Sequence, residues 1–143
     1  MRRLSRELAF QGLFQMEFRP DMDVNLALEG ALGQHDEIPG KVACNYAKDL
    51  LEGTQKNLAA IDNELQAVLV NWTLERLGSA ERALLRLCVY EMFFAPDEER
   101  TASAIAINEC LELAKKYCED ASPKFINGIL GTIVRKHESL SRD

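Results

Sequence analysis

The sequence predicts an all-α protein, with about seven helices in two small antiparallel bundles that share a core. Two observations carry this prediction. Apolar residues recur at three- and four-residue spacings along the chain, and no stretch alternates as a strand would. Proline, glycine and asparagine then punctuate the chain into segments of helix length. Residues 1–70 read as one helical subdomain and 71–143 as a second, both within a single domain. At 143 residues and 47% hydrophobic content the chain can bury roughly 70% of its unfolded surface, enough to fold without disulfide or metal staples.

Taken in order, the first helix should run from Arg3 to Phe18. Ala9, Phe10, Leu13, Phe14 and Met16 fall within one half of its circumference. Arg3, Glu7, Phe10 and Phe14 line one edge, basic at one end and aromatic further along. Pro20-Asp21 breaks the helix, and a short helix from Val24 to Leu32 ends at Gly33. After the Ile38-Pro39-Gly40 loop, a third helix carries Val42, Tyr46, Leu50 and Leu51 on its apolar side, with Gly53-Thr54 as its stop and the next cap. A fourth shows Leu58, Ile61, Leu65, Val68 and Leu69.

The passage from Asn71 to Gly78 reads as a hinge, and its Trp72 is expected to pack between the two halves, where an indole gains most from burial. Ser79 should cap the following helix, with Glu81 favourably placed in the first turn. Leu84, Leu87 and Cys88 face inward there, and Tyr90, Phe93 and Phe94 add aromatic bulk. Ala95-Pro96 ends it, before an acidic loop at Asp97-Glu98-Glu99. The last two helices show apolar faces at Ala106, Cys110, Leu113, Ala114 and Tyr117, then at Ile126, Ile129, Leu130, Ile133 and Val134. Ser122-Pro123 suits an N-cap followed by a first helical residue. Glu138 to Asp143 reads as a polar, frayed tail.

Composition narrows function. A net charge of −6 argues against indiscriminate nucleic-acid binding over the whole surface. No apolar run approaches the roughly 20 residues of a membrane span. The N-terminus lacks the apolar segment of a signal peptide. Cys44, Cys88, Cys110 and Cys118 show no metal-binding spacing. Cys88 and Cys110 fall on apolar faces, which suits core thiols in a reducing cytoplasm. With no glycine-rich phosphate loop, H-E-x-x-H or G-x-S-x-G, no catalytic, metal or cofactor site is expected. Glu109, flanked by Ile105 and Leu113, is expected to form a structural ion pair with Arg86.

Charge is segregated along the chain. Residues 1–20 hold four arginines against two glutamates, and residues 115–137 hold five basic residues against two acids. Acids concentrate in 21–40 and 97–99. This pattern points to a local basic patch, and Phe14 and Tyr117 could offer stacking surfaces to single-stranded RNA. From these features alone, an RNA-binding protein and a helical protein–protein adaptor both stand open.

Three blocks, RRLSRELAFQGLFQ, LERLGSAERALLRLCVYEM and AIAINECLELAKKY…SPKFINGIL, together resemble the NusB family of bacterial transcription antitermination factors over nearly the whole chain. The resemblance implies an all-helical fold of two small bundles and no catalysis. It also implies a role: binding boxA-type single-stranded RNA in nascent ribosomal transcripts together with NusE, a small-subunit ribosomal protein, in a complex with RNA polymerase. Carried over residue by residue, it places Arg2, Arg3 and Arg6 against the RNA backbone, with Gln11 and Phe14 on the same helix. It also matches Lys115 to a family lysine and Glu75 and Glu81 to acids of the RNA and partner region; with Lys116, Asp120 and Lys124 around the following turn, Lys115 makes a second group expected to face RNA. The sequence departs from the family pattern at Phe14, often a tyrosine, and at Ala121, commonly an aspartate, with Asp120 one position earlier. Leu4 and Ser5 also interrupt the N-terminal basic run. Phe93 and Phe94 suit either core or interface, which leaves homodimerisation open.

Overall fold

The structure, a computed structural model, describes residues 2–141. Among these residues there are seven α-helices and no strand. They are α1 (Arg2–Phe18), α2 (Val24–Leu32), α3 (Lys41–Lys56), α4 (Leu58–Val68), α5 (Ser79–Val89), α6 (Ser103–Tyr117) and α7 (Ser122–Ser141). Two of them organise the rest. Helix α1 packs against α2, α3 and α5, and α5 packs against α4, α6 and α7.

Both central helices are apolar around most of their circumference. In α1, Leu8, Ala9, Phe10, Leu13 and Met16 are buried, and in α5 so are Ala83, Leu84, Leu85, Leu87, Cys88 and Val89. A helix buried on several sides needs a wider apolar surface than the single stripe of a surface helix. One continuous core draws on all seven helices, and its tightest part includes Ile61, Leu65, Leu84, Leu85, Ile126, Leu130 and Ile133. Each such side chain contributes about 1.5–3 kcal/mol relative to leaving it exposed. A small satellite of Leu8, Leu28, Ala31 and Ala47 seals α1, α2 and α3 together. The apolar faces expected on α6 and α7 are the buried ones, with Tyr117 and Val134 half-buried at their edges.

Several local expectations are corrected. Helix α3 runs through Gly53-Thr54 to Lys56, because the fully buried Thr54 hydroxyl donates back to the Leu50 carbonyl at 2.7 Å and leaves the helix intact. Val42 is exposed. Gly78, not Ser79, precedes α5: the Glu81 carboxylate accepts from the Gly78 N–H at 3.2 Å, and Ser79 is already helical. Trp72 is 51% exposed and does not pack between the halves. Leu74 and Leu77 enter the core from this linker instead. Asn71 takes a left-handed conformation at φ 64°, which asparagine tolerates, and Gln66 then bonds the Trp72 carbonyl and the Leu74 N–H, both at 2.9 Å. The C-terminal segment is helical to Ser141, where the sequence suggests fraying; Arg142 and Asp143 lie outside the described residues.

Helix α5 ends in a feature the sequence does not announce. Tyr90–Phe94 forms a π-turn, closed by an Ala95 N–H to Tyr90 carbonyl bond at 2.9 Å. Tyr90 is thereby pressed against α3, where a side chain on Gly53 would collide with its ring. Phe93 stacks on His137, with ring centroids 3.8 Å apart, and Phe94 packs on the core. Most consequentially, Glu91 turns inward.

Candidate nucleic-acid interface

Because α5 packs against both α1 and α6, those two helices stand apart, with a groove of about 510 Å³ between them. Long side chains cross it. The Arg3 guanidinium donates to both carboxylate oxygens of Glu109, at 2.9 and 3.0 Å. One turn further along α1, and two along α6, the Lys116 ammonium and the Tyr117 hydroxyl donate to the same oxygen of Glu7, at 2.6 and 2.8 Å. Arg3 meets Glu109 and Glu7 meets Lys116, so the helices run in the same direction along the groove.

The hydrogen bonds from Arg3 hold the Glu109 carboxyl below its ordinary value, against the opposing effect of burial. For Glu7, burial pushes the carboxyl up, but the hydrogen bonds from Lys116 and Tyr117 outweigh it and the net shift is downward. Lys115 is tied to Glu112 at 3.2 Å, and Arg2 lies over the Tyr46 ring, 5.0 Å from its centroid.

The basic patch expected from the sequence is therefore matched by acids in space. Arg3, Lys115 and Lys116 are exposed and each is paired with a carboxylate. Arg2, Asp120 and Lys124 are exposed, the latter two at the α6–α7 turn. Arg6 is a correction. It is 6% exposed and donates to Glu91 at 2.7 Å, while Thr101 donates to the same carboxylate at 3.0 Å. A guanidinium enclosed in this way is held within the protein by its carboxylate, not presented on the surface as a basic helix start would be. Glu109 pairs with Arg3, not Arg86. Arg86 instead forks Asp62 at 2.8 and 2.9 Å and reaches Glu17 at 2.6 Å. Arg82 also bonds Glu17 at 2.6 Å and holds the carbonyls of Leu74 and Leu77.

Beyond Lys116 the groove becomes aromatic. Phe10 lies 4.8 Å from Tyr117 between centroids, and Phe14 meets Phe18 edge-on at 5.2 Å. Phe14 is 37% exposed and Phe18 more so. Phe10, Gln11, Phe14, Gln34, Ala80 and Tyr117 line a hollow of about 140 Å³. Gln11 is buried, and both ends of its amide are engaged: its nitrogen donates to the Tyr117 hydroxyl, and its oxygen faces His35 Nε2, each at 2.9 Å. Glu75 and Glu81 lie elsewhere, the first within the linker between α4 and α5 and the second in the first turn of α5. Glu75 borders a cleft with Arg82 and Arg86; Glu81 borders a hollow with Trp72, Arg76, Glu119 and Phe125.

Residues 3–135 match the model of the NusB family. The chain belongs to the NusB family. The transcription antitermination protein NusB of Bdellovibrio bacteriovorus is 39% identical over 136 residues, covering 95% of this chain and 96% of that protein. Among solved structures, T. maritima NusB superposes with a TM-score of 0.83 at 38% identity, covering 94% of this chain and 91% of that one. A complex of the antitermination factors NusB and NusE with double-stranded RNA contains a chain that superposes with a TM-score of 0.82 at 27% identity, covering 94% of this chain and 96% of its counterpart. The NusB architecture thus accounts for the all-helical fold. Among the described residues, no helix is long and apolar enough to cross a membrane.

Three participants in this face escape a reading by segment: Glu7 as an anchor for Lys116, and Gln34 and His35 from the α2–α3 loop; Glu109 is expected as a paired carboxylate, but with another arginine. The two carboxylates leave a signal in retrospect. Arg3 and Glu7 on α1 and Glu109 and Lys116 on α6 present opposite signs in matching order. The loop residues leave none, since nothing in their spacing ties them to α1.

Proposed function

We propose that this chain is a transcription antitermination factor that binds boxA-type RNA in nascent ribosomal transcripts jointly with NusE. It would act in the cytoplasm, with no catalytic step of its own. The observation that carries this reading is the likeness, over nearly the full chain, to the NusB partner of a NusB–NusE–RNA complex. The geometry adds a mechanism. Arg2, Arg3, Lys115, Lys116 and Lys124 are exposed cations: Arg3 and Lys116 border the α1–α6 groove, Arg2 lies over Tyr46, and Lys124 is in the first turn of α7. Phosphates would displace Glu109 and Glu7 from Arg3 and Lys116, exchanging one anionic partner for another. Such an exchange gains less than contact with a free cation, so RNA binding by the chain alone is weak. NusE would supply the remainder through the acidic region that includes Glu75 and Glu81. Phosphate contacts carry no sequence information, so base discrimination falls to the polar and aromatic groups beyond Lys116.

The test is fluorescence anisotropy of a boxA-type RNA with and without NusE. Binding should tighten when NusE is present, and an Arg2, Arg3 and Lys116 triple alanine variant should lose that gain while remaining folded. One observation favours a second reading, a protein–protein adaptor: three of those exposed cations already have carboxylate partners. Under that reading the triple variant would bind NusE normally and RNA would not compete.

A further inference from the structure

We infer that the α2–α3 loop takes part in reading the RNA: Gln34 contacts one unpaired base seated against Phe14 and Tyr117, and His35 positions the amide behind it. This rests on the RNA-binding reading above. The hollow beside Phe14 is bordered by two amides and three aromatic rings. That is the chemistry that holds a single splayed base, with a ring face for stacking and amide groups for one edge. Arg3 and Lys116 lie in the adjoining groove, where the flanking phosphates would run.

The hydrogen bonds fix which groups are offered. Glu7 is held ionised and can only accept, so the Tyr117 hydroxyl gives it its proton at 2.8 Å. The Tyr117 oxygen must then accept from Gln11, which orients the Gln11 amide with its nitrogen toward Tyr117. The Gln11 oxygen consequently faces His35, and Nε2 of His35 carries the hydrogen of that 2.9 Å bond. Gln11 is thus held in one orientation from both ends and is buried. Its nitrogen also approaches the Gln34 oxygen, but only at 3.5 Å, the limit of a hydrogen bond. Gln34 is exposed, and among the described residues its side chain's one hydrogen bond is the long one its oxygen accepts from Gln11, which leaves its amide nitrogen unengaged. A base in the hollow would meet a free donor and a weakly held acceptor on Gln34, the pair of groups by which a glutamine grips a base edge.

The experiment uses the full chain with NusE and a labelled boxA-type RNA in which each position is replaced in turn, and in parallel by the fluorescent base 2-aminopurine. One position should be quenched by stacking on Phe14 and Tyr117, and replacement there should cost wild-type affinity about tenfold. Gln34→Ala should keep the quenching and flatten the preference at that position. His35→Ala should flatten it too, and His35→Gln, whose amide nitrogen can stand where Nε2 does, should restore it. Circular dichroism melts confirm that each variant is folded. Unchanged preference in both alanine variants, with wild-type binding intact, would overturn the inference and leave the proposed function standing. Failure of the wild-type chain to bind RNA even with NusE would overturn both.

Discussion

The Arg3 guanidinium closes on both carboxylate oxygens of Glu109 across the groove between α1 and α6, although Arg3 is 73% exposed and Glu109 only 15%. The carboxylate is the fixed member of the pair and the arginine the movable one. A bidentate clamp on an exposed arginine adds little to stability but sets where its charge stands. Removing the anchor as Glu109→Gln should leave the melting temperature almost unchanged and strengthen RNA binding severalfold at low salt, since Arg3 is released. A double-mutant cycle should show coupling between Arg3 and Glu109 and additivity between Arg86 and Glu109.

Arg6 should behave in the opposite way. Its charge is enclosed with Glu91 and Thr101, so removal of one partner leaves a buried charge without compensation. Arg6→Met should cost about 3–5 kcal/mol in urea unfolding. The double replacement Arg6→Met with Glu91→Leu should recover most of that loss, because both charges leave the core together.

Acid should loosen the same face from the Glu7 side. The Glu7 carboxyl lies below its ordinary value of 4.5 in the folded chain, so its ionised form is favoured by folding. The stability it contributes is complete above about pH 4.5 and is lost as the pH falls through the lower folded value. Thermal melts of wild type and Glu7→Gln should differ most near pH 7 and converge toward pH 3. Convergence on raising the pH instead would show that the sign is wrong.

Gly53 tests the π-turn. A methyl group there would overlap the Tyr90 ring, and the turn after α5 would have to move away from α3. Gly53→Ala should destabilise the chain by about 1–3 kcal/mol despite the better helix propensity of alanine. Pairing it with Tyr90→Leu should relieve much of the loss, as read by the denaturation midpoint.

The helices and their buried faces were legible in the sequence because periodicity reports burial directly. The faces of α6 and α7 illustrate this: Ile126, Leu130 and Ile133 are fully enclosed. Trp72 was misread because hydrophobicity alone does not choose which linker residue enters the core; Leu74 and Leu77 take that place. Glu109 was rightly read as a paired carboxylate but given the wrong arginine. Partner choice depends on how α5 spaces α1 from α6, which no local pattern encodes. Arg6 shows the same limit more sharply. Its neighbours in sequence suggest an exposed basic start, whereas the π-turn, invisible to helical periodicity, brings Glu91 to meet it.

The most direct measurement is the salt dependence of boxA-type RNA binding by the chain with NusE, compared with a scrambled RNA of equal length. Tight, sequence-dependent binding is predicted, with a slope of log K against log salt of roughly −0.7 for each phosphate contact. That slope should become shallower in the Arg2, Arg3 and Lys116 triple alanine variant. Equal affinity for both RNAs, with a slope unchanged in the variant, would contradict the assignment of these cations to RNA.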